Sequence, residues 1–341
     1  MRIGIKSLGC PRNLVDSEVI CGKLKEKGHQ ISGQINNSDL VIINTCSFIK
    51  DAVEESIEEI LSAVKLKKAG KVKHLIVAGC LPQRYIDNNL IKELPEVDAF
   101  LGVGELLEID KIIEKVVQGE KIYQVHRKPD FLYNHTTPRT ILTPQHYAYI
   151  KISEGCKNNC SYCLIPQIRG KYRSRKMEDI IEEVKVLSEK QNLSEVILIG
   201  QDTTLYGIDL YGEHKLAELL EKLSLLELKN LKWIRLLYTH PLHYNDDLIE
   251  VIANYPRICP YLDLPLQHIS DKILKNMNRP IDKKYVIDLI NKLRDNIPNL
   301  NLRTTFMVGF PGETDKDFEE LLNFVKEIRF EKLGTFIFSK E

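Results

Sequence analysis

Net charge is what this 341-residue chain most plainly lacks: Lys+Arg and Asp+Glu each number 48. A balanced surface gives no strong nucleic-acid signal, because holding a nucleic acid backbone calls for a broad basic face. A local basic patch is still compatible with it. Long apolar runs are missing too, and nothing approaches the roughly 18 residues of a membrane span, so no membrane partner is expected. The opening MRIGIKSLGC has neither the apolar core nor the small-residue cleavage site of a signal peptide. The expected location is therefore the cytoplasm. Internal repeats and low-complexity tracts are also absent. What remains is ordinary soluble material, 43% apolar and 28% charged, in a length that suggests two domains.

The order of apolar runs is that of an α/β protein. Residues 3–5, 40–43 and 75–77 read as buried strands, with a short strand near Phe100. Between them lie helical patterns over 14–27, from Phe48 through Ala52, Val53, Ile57, Ile60 and Leu61 to Val64, and over 86–94 and 106–117. Strands alternating with helices predict a parallel sheet covered on both faces. Residues 119–146 hold Pro129, Pro138 and Pro144 with little periodicity, and read as an extended linker. The alternation then resumes with strands at 148–152, 196–199, 233–236, 261–264, 302–308 and 333–338. The intervening helices carry Ile180, Val184 and Leu187, then Leu216, Leu219 and Leu223, then Val286, Leu289 and Leu293, then Phe318, Leu321, Leu322 and Val325. About six β/α units are too few for a closed eight-unit barrel and predict an open, partial one. The domains expected are thus an N-terminal parallel sheet domain at 1–118, the linker at 119–146, and a partial (β/α)6 barrel at 147–341. The sequence stops at Glu341 just after an apolar strand, with no polar tail or helix cap, and a truncated chain is expected.

Eight cysteines need explaining in a compartment that keeps thiols reduced, where they serve more often as ligands or catalysts than as disulfides. Cys156, Cys160 and Cys163 form C-x3-C-x2-C in EGCKNNCSYCLIPQIRG, directly after a predicted strand. Iron–sulfur clusters are generally held by four thiolates. Three on a four-iron cluster leave one iron open to a small molecule. Structural zinc would ask for a second C-x2–4-C half, which is missing here, and the polar Lys157, Asn158, Asn159 and Ser161 argue against a chance core cluster. Cys10 in SLGCPRN, Cys46 in NTCSF and Cys80 in AGCLPQ are far apart in sequence, yet each follows a predicted strand. In an open parallel sheet the loops at the carboxyl ends of strands share one ligand-binding edge, so these thiols are placed to converge on a second open cluster. The alternative is three separate small core thiols, which is the reading given to Cys21 and Cys259.

At Cys156–Cys163, with Tyr162 before the last cysteine, the sequence resembles the radical S-adenosylmethionine superfamily, whose fold is a partial (β/α)6 barrel. The N-terminal trio narrows the resemblance to methylthiotransferases. SLGCPRNLVDSE, NTCSFIKDAVEES, VAGCLPQRY, LIGQDTTLYGIDLYG, LLYTHP, LDLPLQHISDKILKNMNR and VGFPGETDKDF are similar to the branch that modifies a ribosomal protein. The resemblance covers nearly the whole chain. It implies two 4Fe-4S clusters, one on Cys156, Cys160 and Cys163 that cleaves S-adenosylmethionine to a 5′-deoxyadenosyl radical, and an auxiliary one on Cys10, Cys46 and Cys80 that carries the sulfur. It further implies methylthiolation of the β-carbon of an aspartate in small-subunit ribosomal protein S-twelve, with one S-adenosylmethionine as methyl donor and a second as radical source. An electron donor such as flavodoxin or ferredoxin and a sulfur donor are implied partners. The family's small C-terminal β-barrel (TRAM) domain is expected to be absent.

The S-adenosylmethionine pocket is drawn less sharply. Tyr162 belongs to the cysteine motif. Gln201 and Asp202 end a predicted strand at the face where barrel sites form, placed to bond a ribose or position substrate. Gly309 and Gly312 flank a strand-to-helix turn that is either a close approach to a ligand or a plain turn. Arg235, His240 and Gln267, near the ends of later strands, are either ligands or structural. Two rival functions stand beside this one. A tRNA adenosine methylthiotransferase shares the chemistry, with the zero net charge and the LVDSE and QDTT motifs against it. A non-catalytic electron carrier or cluster scaffold would be expected to cap its clusters with four cysteines.

Overall fold

The structure, a computed structural model, describes residues 1–87 and 90–340. It divides into two compact units: Met1–Pro144 with Leu164–Gly170, and Gln145–Cys163 with Lys171–Lys340.

The first unit is built on six parallel strands, β1 (Arg2–Ser7), β2 (Gln30–Ser32), β3 (Leu40–Thr45), β4 (His74–Gly79), β5 (Ala99–Leu101) and β6 (Ile122–Gln124), ordered β2-β1-β3-β4-β5-β6. Its helices are α1 (Pro11–Glu26), α2 (Lys50–Lys68), α3 (Cys80–Arg84), α4 (Leu90–Glu93) and α5 (Ile109–Val117). All six residues of β3 are buried, as a strand covered on both faces requires. Leu40 and Ile42 join a core with Ile20 and Leu24 of α1 and Ile112 of α5, while Val41 and Ile43 join one with Ile60 and Val64 of α2. That division is the two-residue strand period made visible, and each such side chain contributes roughly 1.5–3 kcal/mol by its burial. Strand order reverses between β1 and β3, which creates a topological switch point of the kind where doubly wound sheets bind ligands.

The second unit holds β7 (Tyr147–Lys151), the antiparallel pair β8 (Ser153–Glu154) and β9 (Arg173–Ser174), and then β10 (Glu195–Ile199), β11 (Trp233–Leu236), β12 (Ile258–Asp263), β13 (Asn301–Val308) and β14 (Lys332–Ile337). Its main sheet runs in chain order from β7 through β10 to β14, all parallel. After α6 (Ile165–Arg169), which lies in the first unit, come α7 (Met177–Lys190), α8 (Leu216–Ser224), α9 (Asp246–Asn254), α10 (Asp271–Asn276), α11 (Lys283–Asn296) and α12 (Asp315–Ile328). This is the open (β/α)6 arrangement expected from the sequence, with β7 and β14 as its outer strands.

Some expectations change. β2 and β6 are not foreseen, and β6 falls inside the stretch 119–146 expected as linker. The helix expected over 86–94 is described only as α4, and residues 88 and 89 lie outside the described residues. In α12, Leu321, Phe324 and Ile328 face the core while Phe318 and Leu322 are exposed. Phe324 packs edge-on against Phe306 of β13, and that contact sets the buried face.

Candidate metal centres and their surroundings

β1, β3 and β4 are neighbours in the sheet, and a cysteine leaves the carboxyl end of each. Cys10 stands at the N-cap of α1 with Pro11 behind it, Cys46 follows β3, and Cys80 opens α3. Cys10 and Cys46 therefore flank the switch point. The loops are stitched together by buried polar groups. Asn13 Nδ2 donates to the carbonyls of Leu8 (2.8 Å), Asn44 (3.2 Å) and Thr45 (3.3 Å). Ser56 Oγ donates to Cys46 O at 2.7 Å, and Thr45 Oγ1 donates to Ala78 O at 2.6 Å. Glycines permit the approach. A Cβ at Gly9, whose φ is +81°, would lie 2.5 Å from Cys46 Cβ and 2.7 Å from its Sγ. At Gly79, φ +96°, it would lie 2.3 Å from Asn44 Oδ1.

The trio's charge environment is uneven. Burial pushes the Cys80 thiol up to about 11 and also raises Cys46. Burial acts the same way on Cys10, but the Arg12 and Arg169 guanidiniums outweigh it and bring that thiol below its ordinary value.

The second trio lies on the loop after β7 and β8, all three thiols half-buried. Asn158 Nδ2 donates to Asp202 Oδ2 at 2.7 Å. Ser161 donates to Met277 O (3.0 Å) and Asn276 O (2.8 Å), and Asn278 Nδ2 donates to Asn159 O at 2.6 Å. Tyr162 packs against Ile273, Met277, Met307 and Phe310. Arg279, 5% exposed, donates to Tyr162 OH (3.4 Å) and Pro265 O (2.9 Å) and reaches Cys160 Sγ at 4.0 Å. Burial drives the Cys156 thiol up to about 12.

Among the described residues, the one group of three metal-type ligands whose donor atoms all lie within 4.8 Å of one another is Asp202, His240 and His243. The donor set of each cysteine trio, thiols alone, matches an iron–sulfur centre.

The radical SAM superfamily matches residues 150–325, and an uncharacterized protein family, UPF0004, matches residues 2–102. Over 341 residues the chain is 48% identical to the ribosomal protein uS12 methylthiotransferase RimO of Clostridioides difficile, covering 100% of this chain and 76% of that one. With RimO of Caldanaerobacter subterraneus subsp. tengcongensis identity is 52% over 339 residues, 99% of this chain and 76% of the relative. The chain belongs to the RimO family. Among solved structures, the radical S-adenosylmethionine methyltransferase TsrM of Kitasatospora setae gives a TM-score of 0.69 at 13% identity, over 98% of this chain and 72% of TsrM. The cobalamin-dependent radical enzyme OxsB gives 0.62 at 11%, over 95% of this chain and 51% of OxsB. Identities this low speak for the fold alone.

The barrel of this RimO-family chain gathers some of the residues singled out in its sequence and not others. Asp202 is 2% exposed and accepts bonds from Asn158, from Thr204 N and Oγ1, and from His243 Nδ1 at 3.0 Å. It thereby anchors the cysteine loop. Burial alone would raise its carboxyl, but His243 and the other donors hold it below the usual range. His240 Nδ1 accepts from Leu242 N at 3.3 Å, and burial pushes that imidazole down to about 3, so it is neutral. Gln201 Nε2 donates to Glu154, itself paired with Lys151 at 2.7 Å. Gln201 Oε1, Gln267 Oε1 and Arg279 Nε are buried without a partner, three polar atoms that a polar ligand would satisfy. Gln267 has φ +73° and bridges to Phe306 of β13.

Arg235 is not brought to this group. It donates to Glu195 at 2.6 Å, at the opposite end of β10 from Gln201, and lies over Tyr261. Gly309 and Gly312 lie in the turn between β13 and α12, at φ +75° and +88°. Glu313 accepts from the backbone of both Gly309 and Phe310, and the nearest atom to a Cβ at either glycine would be 3.5 Å away or more. Sequence reading missed Asn158, His243, Arg279 and Arg169. The first lies inside the cysteine motif and could have been taken from it. The others are identified only by what they touch.

Proposed function

We propose that this chain methylthiolates the β-carbon of an aspartate in ribosomal protein uS12, using two S-adenosylmethionine molecules. The observation that carries the reading is a pair of three-thiol sites on the carboxyl ends of two parallel sheets, in a chain 48% identical from end to end to a uS12 methylthiotransferase. Cys156, Cys160 and Cys163 would hold the radical-generating 4Fe-4S cluster, and Cys10, Cys46 and Cys80 the auxiliary one. When bound, the two clusters supply one-electron cleavage of a sulfonium and a sulfur for transfer.

The rest is work for the chain's own side chains. Asp202, through Asn158, and Arg279, through Tyr162, fix the loop that carries the first trio. The unpartnered atoms of Gln201, Gln267 and Arg279 bind the polar groups of S-adenosylmethionine. Asn13, Thr45 and Ser56 hold the second trio's loops in place, so that orientation is set before substrate arrives. A flavodoxin- or ferredoxin-type donor supplies electrons and a separate donor replaces the sulfur. The reaction belongs with ribosomes in the cytoplasm, and among the described residues no helix is long and apolar enough to cross a membrane.

Mass spectrometry of uS12 and of tRNA from cells with and without the gene tests this reading. We expect uS12 alone to lose a methylthio group when the gene is removed. Loss of the group from tRNA, with uS12 unchanged, would overturn it.

A further inference from the structure

The segment Leu164–Gly170 leaves the barrel's last cysteine, Cys163, yet folds as part of the N-terminal unit. Its short helix α6 packs Leu164 and Ile168 against Cys80 and Val103 and carries Arg169 into the interior, 3% exposed. A buried guanidinium is costly unless paired. Arg169 Nη1 donates to Asp16 Oδ2 at 2.6 Å, and Asp16 is itself 2% exposed. The other nitrogen, Nη2, donates to Asn13 Oδ1 (3.2 Å) and to Cys80 Sγ (3.3 Å). Asp16 and Asn13 therefore fix the fork from behind, and one face of it is turned to sulfur. Well-packed apolar residues commonly match or exceed a buried ion pair in stability, so packing gives no account of a charge here. Asn13 also ties the loops of Cys10 and Cys46, so one hydrogen-bonded unit spans the site.

We propose that Arg169 is a positioning residue of the N-terminal trio, which fixes the Cys80 sulfur and, by its charge and N–H donor, raises the reduction potential of the cluster held there. Hydrogen bonds to the sulfurs and local net charge are the levers by which a protein sets such a potential. The inference rests on Cys10, Cys46 and Cys80 being cluster ligands, and its test separates the two claims. The parent is the full chain carrying Cys156→Ala, Cys160→Ala and Cys163→Ala, reconstituted anaerobically, so that one three-cysteine site remains. Iron and sulfide are counted, and the midpoint potential is followed by electron paramagnetic resonance through a reductive titration. Arg169→Gln is expected to keep its iron and to titrate at a more negative potential, with Arg169→Lys between it and the parent. If Gln empties the site, Lys is expected to keep it filled, since charge is retained. An unchanged midpoint in an iron-loaded Gln variant, or loss of iron from Gln and Lys alike, overturns the inference and leaves the ligand assignment standing. A parent that binds no iron overturns the assignment itself.

Discussion

Of the residues that precede the N-terminal cysteines, Gly9 and Gly79 are held at positive φ with a neighbouring loop closer than a side chain allows. At Gly9 an added methyl would occupy space 2.7 Å from Cys46 Sγ at a positive φ that L-residues resist, a strain of roughly 1–3 kcal/mol. Gly9→Ala is therefore expected to lower both the melting temperature and the iron bound at the N-terminal trio, with barrel iron retained. Cys21 is the control. It is fully buried in the apolar core, and burial holds its thiol at about 12. Cys21→Ala is expected to bind as much iron as the parent by colorimetric assay. The six candidate ligand positions were legible because Cys10, Cys46 and Cys80 each follow an apolar strand and Cys156, Cys160 and Cys163 share one short loop. Arg169 was not, because its partner Asp16 lies 153 residues away and nothing in the sequence says which unit the stretch after Cys163 joins.

At the scale of elements, continuous or strictly alternating patterns were the readable ones. β3 is apolar throughout its first four residues and could only be a buried strand. β2 and β6 have three residues each, none buried, so they carry too little signal to be seen; pairing at the sheet edge makes them strands. α12 shows the limit of periodicity, which includes Phe318 and Leu322 in its apolar pattern although β13 selects the Leu321–Phe324 face. The helix is held at its start by a capping box, in which Thr314 and Asp317 bond each other's backbone. Thr314→Ala is expected to cost about 1 kcal/mol, read as a lower melting temperature. Asp317 also accepts from Ser270 at 2.7 Å, and the Thr314 and Ser270 hydroxyls hold its carboxyl far below the usual range. A depressed carboxyl contributes its stability above the unfolded pKa, roughly 4, and loses it as pH falls through the folded value. Asp317→Asn should therefore unfold earlier than the parent at neutral pH, and thermal melts should show that gap closing on acidification.

The whole molecule joins two kinds of parallel sheet that bring cysteines to their carboxyl ends by different routes. The N-terminal unit collects single thiols from three strands at a switch point. The barrel takes three from one loop after its first strand. The sequence pattern carried this much, since alternating β and α segments of the right number define both sheets. The networks that hold the loops, Asp202 with His243 and Arg279 with Tyr162, appear only when the chain is folded. The division of labour predicts a split in products. Under reducing, anaerobic conditions with S-adenosylmethionine, Cys156→Ala should form no 5′-deoxyadenosine, whereas Cys10→Ala should form it and leave a uS12 substrate unmodified. Most directly, iron and sulfide can be counted in the reconstituted chain and in its Cys10→Ala and Cys156→Ala variants. Two independent three-thiol centres predict that each variant loses about half the iron and keeps the other centre's spectrum. A variant that retains all of its iron, or one substitution that empties both sites, would contradict the account.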